Sequence, residues 1–194
     1  LVGAVKCVYF SPDELKLVKD APQDRRKFLD TDISQLSKNY FYLLLKYNKI
    51  LESRNKLLKE TLDTNTLDQT LPIWTMQLAN VGAKIISWRI KFLEKLKVYA
   101  KNSHAYLTSS QENLELEYQG IVGESEQEIE SKLLKEYELS KPKDIKLGYT
   151  TVGPHRDDIA MLVDGVDIRT FGSQGQHRTV ALSLKLAELE IFKD

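Results

Sequence analysis

No glycine in these 194 residues is followed by lysine. That excludes the Gly-x-x-x-x-Gly-Lys-[Ser/Thr] loop, which grips nucleotide phosphates with backbone amides and a lysine. Cys7 is the only cysteine, so no intrachain disulfide can form, and a lone thiol fits a reducing, intracellular setting. No apolar run approaches the ~20 residues of a membrane span. No basic stretch followed by an apolar segment opens the chain, so no secretory signal is expected. Charge of one sign is lacking too: 28 basic and 28 acidic residues leave a formal net charge of zero. That balance gives no support to bulk attraction for nucleic acid, though a local basic face remains open. Leu1 stands first and the only methionines are Met76 and Met161, so the chain is expected to be a piece of a longer protein.

With 42% hydrophobic residues the chain can bury a core, in one domain or two small ones. Val5 to Phe10, rich in β-branched and aromatic residues, predicts a short buried strand with Cys7 in the core. Ser11, Pro12 and Glu14 predict the capped start of a helix running to about Asp20, and Pro22 opens another. Tyr40 to about Leu62 carries a helical stripe of Leu43, Tyr47, Ile50, Leu51, Leu57 and Leu58. A polar stretch near Asp63 to Thr70 predicts a loop. Pro72 then starts a long helix to roughly His104, with Leu78, Val81, Ile85, Trp88, Phe92, Leu96 and Tyr99 on one side. At ~1.5 Å per residue it would be on the order of 50 Å long. Two such helices joined by a short loop should pack antiparallel, with Trp74 and Trp88 in their core.

The alternation of Leu114, Leu116 and Tyr118 with Glu115 and Glu117 marks a half-buried strand. Ser125 and Glu128 form a capping box for a helix to Tyr137. Asp164-Gly165 between the apolar runs 159–163 and 166–168 predicts a hairpin. A last helix begins at Gln174 and runs to about Phe192.

The densest chemistry lies in Phe171-Gly172-Ser173-Gln174-Gly175-Gln176-His177-Arg178, just before that helix. The first amides of a helix lack internal partners and carry the positive end of its dipole. Glycine lets a phosphate approach the backbone. Ser173 adds a hydroxyl and Gln176 an amide, which makes an anion cradle without the lysine of a full phosphate loop. The plainer reading is a polar turn with a helix cap. Ser173, Gly175 and Gln176 match Ser-x-Gly-Gln, the signature motif that this stretch resembles in ATP-binding-cassette and SMC-type ATPases.

Two further strings lie in order with it: Phe10 to Leu15 followed by Arg25-Arg26-Lys27-Phe28-Leu29-Asp30, and Gly153-Pro154-His155-Arg156-Asp157-Asp158. Together the three resemble the RecF family from one end of the chain to the other. His177, where that family usually has glutamine, and Asp20, near a usual glycine, are departures. The resemblance implies an α/β fold, α+β within this stretch: part of an ABC-type ATPase head with an inserted antiparallel helical arm. It divides the chain into a head segment at 1–20, the arm at 21–112 and a second head segment at 113–194. It implies a cytoplasmic recombination mediator that binds ATP with Mg2+, dimerises on ATP and binds DNA, both duplexes and gap junctions. It also implies RecO and RecR as partners in loading RecA at gaps. Ser173, Gln174, Gly175 and Gln176 would then touch the terminal phosphate of ATP held by a second copy.

The resemblance places the phosphate-gripping loop before Leu1 and the magnesium-binding Walker B aspartate just past Asp194. Ile159 to Asp164 imitates a Walker B run, but Gly165 stands where an acidic neighbour belongs and the hairpin accounts for Asp164. No catalytic residue is therefore expected here, and the chain alone is expected not to hydrolyse ATP.

Other residues leave alternatives. Lys84, Arg89, Lys91 and Lys95 on the long helix can meet DNA phosphates or simply form a solvated face. Arg25 and Arg26 suit a phosphate or ion pairs with Asp24 and Asp30. His155, Arg156 and Asp157 suit a structural loop network or a contact to DNA or nucleotide. Their spacing is not that of a zinc site, and no metal is expected. Two other classes stay open: a non-enzymatic helical module that docks partner proteins, and the head of another SMC-type ATPase, for which this arm turns back too soon.

Overall fold

The computed structural model describes residues 6–9, 15–60 and 64–193. The elements in chain order are α1 (Leu15–Lys19), α2 (Pro22–Leu36), α3 (Lys38–Glu60), α4 (Thr64–Leu107), β1 (Leu114–Gln119), α5 (Glu126–Leu147), β2 (Asp158–Val163), β3 (Val166–Asp167), α6 (Ile168–Phe171) and α7 (Gln174–Lys193). They form two compact units. One comprises Leu1–Lys38, Arg89–Gln119 and Asp158–Asp194; the other comprises Asn39–Trp88 and Gly120–Asp157. This cuts the chain differently from the expected division. Residues 21–38 and 89–112 pack with the sheet rather than with the arm, and 120–157 join the helices of the arm. α4 is one helix that serves both units, so its sequence gives no break at which a boundary could be read.

In the first unit, β1, β2 and β3 form an antiparallel sheet in that order. Leu114 lies opposite Val163, Leu116 opposite Met161 and Tyr118 opposite Ile159. The alternation therefore puts Leu114, Leu116, Ile159, Met161 and Val163 on one buried face, while Glu115 and Glu117 face out. Asp164 and Gly165 both have positive φ, at 51° and 78°, as a type I′ two-residue turn requires. The Asp164 carboxylate also accepts the Asn113 amide at 3.0 Å, which ties the turn to the start of β1. Helix α2 packs on β2, and α1 packs on α7. The apolar side of α7, including Val180, Leu184, Ala187 and Ile191, is buried as its spacing predicts.

In the second unit, Tyr40 stacks edge-on against Trp88. A methyl at Gly82 would come within 3.3 Å of Tyr47, and Arg54 reaches Thr75. These pairs run in opposite order along α3 and α4, so the two helices pack antiparallel. α5 closes the unit: a methyl at Gly82 would also lie 3.3 Å from Leu133. Ser125 caps α5 by accepting the Glu128 amide, and the Glu128 carboxylate accepts the Glu124 amide. The Lys132 ammonium first, and then that Glu124 amide, hold the Glu128 carboxyl below the usual carboxylate range.

Several expectations need correcting. Lys6 to Tyr9 form no strand, and Cys7 is exposed. A strand needs a neighbour for its amides, and the Cys7 amide instead binds the Gln35 side chain. Val5, Phe10 and the proposed cap at Ser11 to Glu14 lie outside the described residues. The polar stretch up to Thr70 is helical from Thr64, with Pro72 inside α4. Leu67 and Leu71 are buried and continue the apolar stripe backwards, which outweighs the backbone hydrogen bond that Pro72 removes. At 44 residues α4 spans on the order of 65 Å. α5 runs well past Tyr137 to Leu147 and ends on Gly148 in the left-handed region.

Candidate functional site

The turn before α7 folds as a reciprocal cap. The Gln176 amide donates to Ser173 Oγ at 3.2 Å, and the Ser173 amide donates to Gln176 Oε1 at 3.0 Å. This is the Ser-x-x-Gln capping box, and it fixes where the helix starts. Gly172 makes the turn possible, because a Cβ there would lie 2.4 Å from the Ile168 carbonyl oxygen. His177 is buried and its Nε2 donates to that same carbonyl at 2.7 Å, so it braces the turn from below.

Ser173, Gln174 and Gly175 are exposed. Among the described residues, the amides of Gln174 and Gly175 have no acceptor. Both point outward at the positive end of a 20-residue helix. A Cβ on Gly175 would meet nothing closer than Ser173 Oγ at 3.8 Å. Among the described residues, packing therefore does not demand glycine at 175, whereas it does at 172. Gln176 faces the other way: its Nε2 donates to Glu112 Oε1 at 2.9 Å. Two amides and a hydroxyl remain for an anion. They suit a phosphate presented from outside and cannot by themselves enclose a nucleotide.

The basic candidates divide. Arg25 is buried and forms a two-pronged pair with Asp158, at 2.6 and 3.0 Å. Arg89 is buried and pairs in the same way with Asp30, at 3.0 and 2.9 Å. Neither presents its guanidinium to an outside polyanion, because each charge is matched inside the unit. Arg26 and Lys84 are half-buried, while Lys91 and Lys95 are exposed one turn apart on α4.

Of the Gly153 to Asp158 string, Gly153 to Asp157 form a bracing loop within the second unit, and Asp158 begins β2 in the first. Gly153 has φ 119°, and a Cβ there would lie 2.6 Å from Tyr137 Oη and 2.7 Å from Tyr47 Oη. His155 Nε2 donates to the Thr150 carbonyl, so its Nδ1 accepts the Tyr47 hydroxyl at 2.8 Å. Arg156 is exposed and lies over the Tyr149 ring. Asp157 is buried against Gly120, where a Cβ would come within 2.5 Å of its carboxyl carbon. Burial pushes the Tyr137 phenol well above its ordinary range. Among the described residues, no group of three or more His, Cys, Asp or Glu side chains is placed to hold a metal ion. None of the described helices is long and apolar enough to cross a membrane.

Comparison with known proteins adds to this geometry. No family model matches the chain. The DNA replication and repair protein RecF of Halothermothrix orenii is 48% identical over the whole of it, and that of Alkaliphilus oremlandii 45%. A solved structure of the recombination mediator protein RecF with ATP, in the RecFOR pathway, superposes on the whole chain with a TM-score of 0.92 at 42% identity. The chain is RecF-like from end to end. It spans about half the length of these relatives: 53% of each of the two sequences and 52% of the solved chain. The α+β fold, which comprises an antiparallel helical arm and a small antiparallel sheet, is thus the RecF fold over this stretch. A second solved RecF structure, determined with an ATP analogue, covers 96% of the chain with a TM-score of 0.89.

The buried arginines were the least visible of the functional-looking residues. Arg54 occupies a core position of α3 and pairs with Asp144, which is also buried. Its place in the stripe 47, 50, 54, 58 was the available signal, since a charge at a core position needs a buried partner.

Proposed function

We propose that the chain is the signature-bearing part of a RecF-type recombination mediator, and that Ser173, Gln174 and Gly175 contact the terminal phosphate of ATP held by a second copy. The observation that carries this reading is the asymmetry between the glycines. Gly172 is required by its own neighbours, while among the described residues Gly175 meets only Ser173 Oγ, at 3.8 Å, beside two amides without an acceptor. A glycine with no internal reason leaves room for an external group to approach the backbone. ATP, with Mg2+, supplies the negative charge that joins two copies. Affinity between copies then depends on nucleotide state, because the phosphate is a ligand to both. In the cell this switch serves DNA repair in the cytoplasm: ATP-dependent DNA binding, and RecA loading at gaps with RecO and RecR.

Gly175→Ala separates this from a simple helix cap. Alanine raises helix propensity, so folding stability, followed by thermal melting, should hold or rise by about 1 kcal/mol at most. ATP-driven self-association of a protein carrying both this segment and a phosphate-gripping loop should weaken about tenfold. Equal association of variant and parent, followed by sedimentation, would reject the proposed contact. The chain as it stands is expected to show no magnesium-dependent ATP turnover.

For DNA, the proposal rests on Lys91 and Lys95, which are exposed, while Lys84 on α4 and Arg26 on α2 are half-buried. Lys91→Glu with Lys95→Glu should lower duplex affinity about tenfold or more and flatten the dependence of log K on log salt by about 2. An unchanged salt slope would remove these lysines from the interface.

A further inference from the structure

The outward amides of the signature turn depend on a side chain that faces inward. Gln176 Oε1 accepts the Ser173 amide, and its Nε2 donates to Glu112 Oε1 at 2.9 Å. Glu112 lies just after the end of α4, where Ser109 and Ser110 both take left-handed backbone conformations and double the chain back. The Ser110 amide closes that end on the Ala105 carbonyl at 2.7 Å. This turn brings the other Glu112 oxygen, Oε2, to 3.2 Å from Nε2 of His104.

His104 is fully buried, and its Nδ1 lies 3.1 Å from Ser183 Oγ. The Ser183 hydroxyl hydrogen goes to the Thr179 carbonyl at 2.7 Å, so Ser183 Oγ can only accept from Nδ1–H. The ring is thereby fixed in orientation, with its Nε2 turned to Glu112. A continuous chain results: Thr179 and Ser183 on α7, His104 on α4, Glu112, then Gln176 and Ser173 at the start of α7. Each member is named by the hydrogen bond it needs, and the Gln176 carboxamide is held at both ends.

We infer that Glu112, anchored by His104, is a positioning residue for the signature turn: it holds the Gln176 carboxamide so that Ser173 and the Gln174 and Gly175 amides face an incoming phosphate. This rests on the phosphate contact proposed above. Without Glu112, the Gln176 side chain is free to rotate and the Ser173 amide loses its fixed acceptor. The turn then has to be ordered by the ligand, and that ordering weakens binding. No phosphate is touched by Glu112 itself, which is why its effect must pass through Gln176.

The experiment uses the longer protein that carries this segment together with a phosphate-gripping loop, and reads the ATP concentration giving half-maximal self-association. Glu112→Ala should raise that concentration about tenfold. Glu112→Gln should stay within about threefold of the parent, because its amide oxygen can still accept from Gln176. Gln176→Met should match Glu112→Ala, and the double variant should be no worse than either, since one chain of bonds is broken in each. Thermal midpoints without nucleotide control for a purely structural role. Gln176→Met replaces a half-buried side chain and keeps the test open if Glu112→Ala folds poorly. Additive effects, a Gln176→Met variant with parental ATP dependence, or failure of Glu112→Gln to rescue would overturn the inference. Ser173→Arg with parental ATP dependence would instead overturn the phosphate contact and this inference with it. Loss with Ser173→Arg but parental behaviour of Glu112→Ala would defeat the inference alone.

Discussion

Asp144→Ala is expected to destabilise the protein by about 3–5 kcal/mol, the largest loss from any single truncation here. Asp144 and Arg54 are both essentially inaccessible to water, at 0% and 1% side-chain exposure. Their 2.9 Å pair is one part of a fully built polar core. The other Asp144 oxygen accepts the amide and the hydroxyl of Thr151, at 2.9 and 2.7 Å. Arg54 reaches Thr75 and Thr150 and lies over the Tyr137 ring. Thr150 in turn gives both its amide and its hydroxyl to Asn55. Alanine at 144 strands a guanidinium away from water and leaves the Thr151 groups without an acceptor. Urea denaturation measures the cost. Joining Arg54→Met to Asp144→Leu should recover much of it, because an apolar pair asks for no solvent. A loss below about 1 kcal/mol for Asp144→Ala would show that the cation finds another partner and would end this account.

Ser173→Arg should abolish ATP-driven self-association of a protein able to hold ATP, a fall of about a hundredfold or more in the association constant. The estimate follows from symmetry. A two-fold assembly uses the turn twice, and each copy loses a hydroxyl hydrogen bond to a charged group worth ~1.5–3 kcal/mol. The arginine side chain also fills the open space beside Gly175. Stability should fall by only ~1 kcal/mol, the usual cost of losing a cap, since Ser173 is exposed. Sedimentation with and without ATP, beside a thermal melt, reads both quantities. Association at parental ATP concentrations would return the turn to the status of a helix cap.

How far the fold can be read from the chain depends on the range of the interaction. The strand at Leu114, the Asp164-Gly165 hairpin, the Ser125 cap and the start of α7 rest on neighbours within a few residues, and each is where its pattern puts it. The signature turn is also local, so its cap and its exposed face follow from Ser173 to Gln176 alone. Other features depend on partners far along the chain. Arg25 meets Asp158 across 133 positions, so no local pattern separates it from an arginine free to bind phosphate. Arg54 meets Asp144 across 90, and its stripe position marks burial without naming the partner. Glu112 was equally hidden, since its partners His104 and Gln176 come from different helices. The helical stretch before Pro72 was masked by its own polarity, with Leu67 and Leu71 alone marking the buried side.

The groups left open at the start of α7 are two main-chain amides and one hydroxyl. Such donors discriminate charge and shape, and they cannot tell a purine from a pyrimidine. Any preference for adenine over guanine must therefore be written elsewhere, in residues that surround the ring of the nucleotide rather than its tail. A guanosine triphosphate gripped equally well by a second copy would satisfy this turn just as fully.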